Sequence, residues 1–145
     1  MPVKTLSAIA AALLLAACTT GDWSGGGQPP LKQVWQLRHM PGIADARVAE
    51  VGGTLDLRKL PQAHAKMGCN GISFDVQTDT SGTFRPGTGV STLMYCDGRM
   101  DLEQRFNRLI EEIGADGRYR IENGRLFLGK PGQEMVFEPA DKAAQ

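Results

Sequence analysis

Hydrophobic positions fall into three regimes along the chain. Leu6 to Ala17 is an almost unbroken apolar run (LSAIAAALLLAA) with no polar face. Thr19 to Pro30 (TTGDWSGGGQPP) has no apolar period at all. From Leu31 onward, short alternating stretches surround one segment of helical period. There Leu102, Phe106, Leu109, Ile110 and Ile113 fall at i, i+4, i+7, i+8 and i+11, one face of an amphipathic helix. Asp101 with Gln104 three residues on reads as a capping box, and Gly114 and Gly117 close the helix. The other side carries Glu103, Arg105, Asn107, Arg108, Glu111 and Glu112 and reads as solvated surface.

After the helix the period drops to two. Arg118 to Glu122 (RYRIE), Arg125 to Gly129 (RLFLG) and Glu134 to Glu138 (EMVFE) form a three-stranded meander, reversed at Asn123-Gly124 and at Pro131-Gly132. Before the helix, Gln33 to Leu37, Gly53 to Leu57, Ile72 to Gln77 and Ser91 to Cys96 are strand candidates. A lone helix among so many short strands needs an antiparallel sheet to pack on. The fold expected is α+β: a curled, barrel-like antiparallel sheet of about seven short strands with one main helix over a face or opening. Trp35 and Phe106 read as core, and Asn70 as a residue that satisfies backbone groups at a turn.

At 145 residues the chain has room for one ordinary domain. Its 16 basic and 16 acidic side chains cancel, so it lacks the basic face that nucleic acid requires, and no nucleic-acid partner is expected. The apolar run is too short to span a bilayer as a mature helix, which takes roughly 20 residues. With Lys4 before it and small residues after it, residues 1–17 read as a secretory signal peptide. The run ends Leu15-Ala16-Ala17-Cys18, which resembles the bacterial lipobox. That resemblance implies diacylglyceryl and acyl chains on Cys18. Several chains together hold a protein firmly on a membrane, where one binds only marginally. Residues 18–30 then form a lipidated cysteine and tether, 31–140 the folded domain and 141–145 a short tail. Thr19, where an Asp would signal inner-membrane retention, favours the outer membrane.

Within the domain four motifs stand in order: Trp35-Gln36-Leu37, Gly68-Cys69-Asn70, Thr92-Leu93-Met94-Tyr95-Cys96, and the helix from Asp101 followed by short strands. Together they resemble the META domain family, of the heat-shock lipoprotein HslJ type, over about Leu31 to Pro139. The chain departs from the family at Gly71-Ile72-Ser73-Phe74-Asp75 and in the polar Ala63-His64-Ala65-Lys66. The resemblance implies envelope stress tolerance in bacteria and carries over no catalytic residue.

An exported domain folds where disulfides persist, so Cys69 and Cys96 are expected to pair; the alternative is two buried thiols side by side. In a strand Thr92, Met94 and Cys96 would share one face. His39, His64, Cys69 and Cys96 lack metal-site spacing, and no metal or cofactor is expected. Ser91 has no visible partner base and Gly-x-Ser-x-Gly is missing, so no enzyme activity is expected. The expected protein is a monomeric, non-enzymatic envelope lipoprotein, membrane-bound through Cys18 and facing the periplasm, with an unknown protein or small-molecule partner. The alternative is a binder or inhibitor of a hydrolase, a lysozyme or protease, or of a small apolar ligand. A candidate partner-binding loop is Thr78 to Gly89, with Phe84 and Arg85 at its centre.

Overall fold

Trp35 and Leu37 turn inward from the first strand while their neighbours turn outward, so β1 (Val34–His39) is half-buried with a period of two. The computed structural model describes residues 30–141. A short helix, α1 (Asp45–Val51), follows, then β2 (Thr54–Asp56), β3 (Gln62–Lys66), β4 (Gly71–Thr78) and β5 (Phe84–Ser91). The main helix α2 (Met100–Ile113) runs into a 3-10 turn at Gly114–Asp116. The chain ends in β6 (Arg118–Glu122), β7 (Arg125–Lys130) and β8 (Gln133–Pro139). All strand pairs are antiparallel, in the order β5-β4-β3-β2-β1-β8-β7-β6.

This eight-stranded sheet curls into a half-barrel, so the α+β expectation holds with one strand more than about seven and a second helix. Its two edges meet at one corner. Thr83 bridges Arg118, the Phe84 N–H donates to Gly117 O at 3.0 Å, and the Tyr119 N–H donates to Gly82 O at 2.7 Å. Only glycine permits this approach: a Cβ on Gly117 would lie 2.1 Å from Phe84 O. Beyond the corner the edges part and α2 covers the gap. Its Leu102, Phe106, Leu109 and Ile113 are buried against Trp35, Phe84, Leu128 and Phe137 in one core cluster. The apolar periodicity of the helix therefore points at the core, and Trp35 and Phe106 are wholly buried.

One strand is added to those expected, β3, and three local expectations are corrected. β3 reads polar because its outer positions are Gln62, His64 and Lys66 and its inner ones are the small Ala63 and Ala65. Thr78 to Gly89 is not a loop: β4 runs to Thr78, a tight turn follows, and β5 begins at Phe84. Ser91 to Cys96 is not a strand, because the last backbone bond to β4 is from the Thr92 N–H to Gly71 O, and from Met94 the chain is held by the Asn70 side chain. The capping box is absent; α2 has no side-chain cap, and the Asp101 carboxylate is taken by Arg47 at 2.8 Å. The Asn123-Gly124 hairpin is as expected, with φ of 52° and 76° joining β6 to β7 as a two-residue turn of this kind requires.

Two turns are set by carboxylates. Asp79 Oδ1 accepts from the Ser81 hydroxyl, the Ser81 N–H and the Thr83 N–H at 2.6, 2.9 and 3.0 Å, and these bonds, the Ser81 hydroxyl first, hold its pKa well below the usual range. Asp56 is lowered to about 2, chiefly by its side-chain hydrogen bond to Arg58. A depressed folded-state pKa adds stability that is complete above the unfolded value of about 3.9 and is lost as pH falls through the folded value. The urea midpoint is therefore expected to be flat above about pH 5 and to fall between about pH 4 and pH 2. Asp79→Asn should lower the plateau and shrink the fall; an acid limb identical to the parent's would count against this origin.

Candidate functional site

Gly68-Cys69-Asn70 links β3 to β4 and turns toward the segment between β5 and α2. Gly68 has φ +108°, and a Cβ there would lie 2.9 Å from Arg99 O, so both backbone shape and space demand glycine. The turn brings Cys69 to Cys96, and the two form a disulfide across 27 residues of sequence. The next residue, Asn70, is only 2% exposed.

Every hydrogen-bonding position of the Asn70 amide is used. Its Oδ1 accepts from the Thr92 hydroxyl and from the Met94 N–H, both at 2.8 Å. Its Nδ2 donates to Met94 O at 2.9 Å and to the Glu103 carboxyl at 3.0 Å. Glu103, 5% exposed on α2, also accepts the Asn70 N–H at 3.0 Å. Thr92 Oγ1 in turn accepts the Gly71 N–H at 3.2 Å. One amide thus joins the start of β4, the segment 92–97 and the first turn of α2. Arg47 of α1 grips the other side. Its guanidinium donates to Asp101 at 2.8 and 3.0 Å, to Glu50 at 3.0 Å and to Gly98 O. The Asp101 bond is the leading cause that raises the Arg47 pKa and lowers that of Asp101.

The arrangement fixes a backbone and leaves its side chains outside. Leu93 is 98% exposed, Tyr95 81% and Met94 59%, and Val90 beside them on β5 is 75% exposed. Large apolar side chains clustered on a surface mark interaction sites more often than they mark chance. Because disulfide and clamp already order this segment, a partner meeting it loses little conformational entropy on binding. The arrangement presents apolar side chains from a fixed backbone.

The residues singled out in the sequence are distributed as follows. Cys69, Asn70, Thr92 and Cys96 come together, with Asn70 acting on backbone 24 residues away and not at its own turn. Met94 joins them through its backbone, while its side chain faces out, so Thr92, Met94 and Cys96 do not share a strand face. Phe84 is wholly buried in the core and offers a partner nothing, because β5 turns it inward beside Gly117. Arg85 is exposed, its Nε donating to Ala115 O at 3.1 Å. His39 pairs with Asp45 at 2.7 Å and His64 with Ser73 at 2.8 Å, on separate strands. Among the described residues no cluster of His, Cys, Asp or Glu is placed to hold a metal. Cys18 and the tether to residue 29 lie outside the described residues.

Glu103, expected on the solvated side of the helix, is instead buried against Asn70. The signal was present: Glu103, Phe106 and Ile110 fall at i, i+3 and i+7, one stripe at the border of the apolar face. A carboxylate on that border is buried once a partner such as Asn70 satisfies it.

These features define a small α+β half-barrel whose motif residues build a disulfide-braced clamp. The chain belongs to the META domain family, whose model matches residues 29–142. No curated protein and no solved structure matches it.

Proposed function

We propose that this chain is a lipid-anchored, non-enzymatic binding module of the bacterial cell envelope, held on the outer membrane through Cys18, facing the periplasm and serving envelope stress tolerance. The observation that carries the binding role is the row of exposed Leu93, Met94 and Tyr95 on a backbone pinned by Asn70, Glu103 and the Cys69–Cys96 bond. The Leu15-Ala16-Ala17-Cys18 sequence supports the anchor, and a disulfide fits a domain that folds after export. Topology adds a direction. The register row Val34–Asp56–His64–Ser73–Val90 crosses five strands, and from it the chain runs toward Pro30 at one end and toward Met94 at the other. A body hung from Cys18 thus carries its apolar segment on the end remote from its attachment. A second reading, inhibition of a hydrolase, draws on the same exposed segment, with Leu93 to Tyr95 as the inserting element in place of Phe84 and Arg85.

The test is membrane fractionation and intact mass. The parent is expected with the membranes, at a mass that includes cleavage before Cys18 and acyl chains, and Cys18→Ser in the soluble fraction. Identical fractionation of the two would remove the anchor. The binding role is tested by replacing Leu93 and Tyr95 together with serine. A deletion strain carrying this variant is expected to lose envelope-stress tolerance while the protein keeps its folding midpoint; full complementation would remove the role.

A further inference from the structure

A groove of about 620 Å³ lies between the free edge of β5 and α2, with Ile72, Phe74, Phe106 and Ile110 along its base. It exists because β5 lacks large side chains at two inward positions. Residues directly opposite on neighbouring strands share a face, and Gly89 and Ser91 stand opposite the inward-facing Phe74 and Ile72. Period two asks for large apolar side chains at both positions; the chain has glycine and serine. The fold does not require that glycine. Gly89 has no positive φ, and a Cβ there would meet nothing closer than 3.5 Å, ordinary contact.

The same edge offers unpaired backbone. The Thr92 N–H bonds Gly71 O, which sets the alternation of the ladder: Val90 turns its N–H and C=O to β4, and Gly89 and Ser91 turn theirs outward. Among the described residues these outward groups make no backbone hydrogen bond. Native edges are commonly guarded by charge, proline or a bulge. Here Pro86 and the register shift opposite Phe74–Val76 guard the first part, and from there to Cys96 the chain carries no charged residue. The groove does carry one charge on its helix side. Glu111 is exposed and has no ion-pair partner among the described residues, Arg105 being taken by Glu112.

We propose that this groove takes an extended polypeptide segment of another protein, which adds as a strand along Gly89–Ser91, lays an apolar side chain over Ile72 and Ile110, and sets a lysine or arginine beside Glu111. Open strand groups call for a peptide backbone, and the lone carboxylate calls for a cation. The proposal goes beyond the reading above and rests on neither the anchor nor the exposed segment 93–95.

The full chain carrying Cys18→Ser is panned against a phage-displayed library of random linear heptapeptides, and enriched peptides are titrated by NMR. Expected are peptides that alternate apolar residues with Lys or Arg and shift the amides of Gly87–Ser91 and of α2 around Glu111. Gly89→Val should weaken them at least tenfold with the melting temperature retained, and Glu111→Gln three- to tenfold. N-methylation of the central peptide amides, which leaves the protein untouched, should abolish binding even if Gly89→Val fails to fold. No enriched family, indifference to both Gly89→Val and N-methylation, or shifts confined to Leu93–Tyr95 would overturn the proposal. So would dodecanoate shifting the groove amides when no peptide does, which would assign the groove to small apolar ligands.

Discussion

Asn70→Asp is expected to lower the folding free energy by about 3–5 kcal/mol, the range for leaving a buried charged group without its partner. The change is one atom in size, so packing is retained and the effect is electrostatic. The substitution would place a second carboxylate about 3 Å from Glu103, with both groups nine-tenths buried or more. It would also strip Met94 O of its donor. Adding Glu103→Gln removes the like-charge contact and supplies an amide donor toward the introduced carboxylate, but leaves Met94 O unpaired. The double variant should therefore recover roughly half of the loss, a coupling of about 1–3 kcal/mol in a double-mutant cycle. Urea denaturation of the four proteins at pH 7 reads this directly. A loss below about 1 kcal/mol for Asn70→Asp would mean that the clamp is not a closed network.

Removing the disulfide, by reductant or by Cys69→Ala with Cys96→Ala, is expected to cost about 3.5 kcal/mol. A bond across 27 residues restricts the unfolded chain by that amount in the chain-entropy model. The folded state should change little, because Asn70, Thr92 and Glu103 hold the same segment without the sulfurs. Calorimetry with and without reductant should show a lower melting temperature, while NMR shifts in the folded state stay confined to residues around 69 and 96. If reduction instead releases the whole of 92–97, the amide clamp is weaker than its geometry implies.

How much of this was legible in the sequence depended on side-chain volume. Where a strand buries large residues the period of two stood out, as with Trp35 and Leu37 in β1 and with Leu126 and Leu128 in β7. β3 buries two alanines, and β5 replaces its inner apolar residues with Gly89 and Ser91, so neither shows a hydrophobic period. The helix was visible through Leu102, Phe106, Leu109 and Ile113, but the loss of its expected capping box was not, because the Asp101 carboxylate is taken by Arg47, 54 residues away. Sequence spacing carries local geometry and is silent on such distant pairings. For the same reason the four motifs pointed to the site, and the Cys69–Cys96 pairing was expected, while Glu103 was hidden. Its place at the border of the apolar face marks Glu103 as able to be buried, but spacing does not name the amide 33 residues away that satisfies it.

β1 and β8 lie side by side at the middle of the sheet, with Trp35 opposite Pro139. The polypeptide thus enters and leaves the domain through adjacent strands, on the side where the apolar segment is not. A fluorescent reporter or affinity handle fused after Pro139 would sit next to the start of β1 and leave both Leu93–Tyr95 and the β5 edge unobstructed. Joining the two ends by a short linker and reopening the chain at the exposed Pro131-Gly132 turn should preserve the fold, and would separate the domain from residues 1–29 for study in free solution.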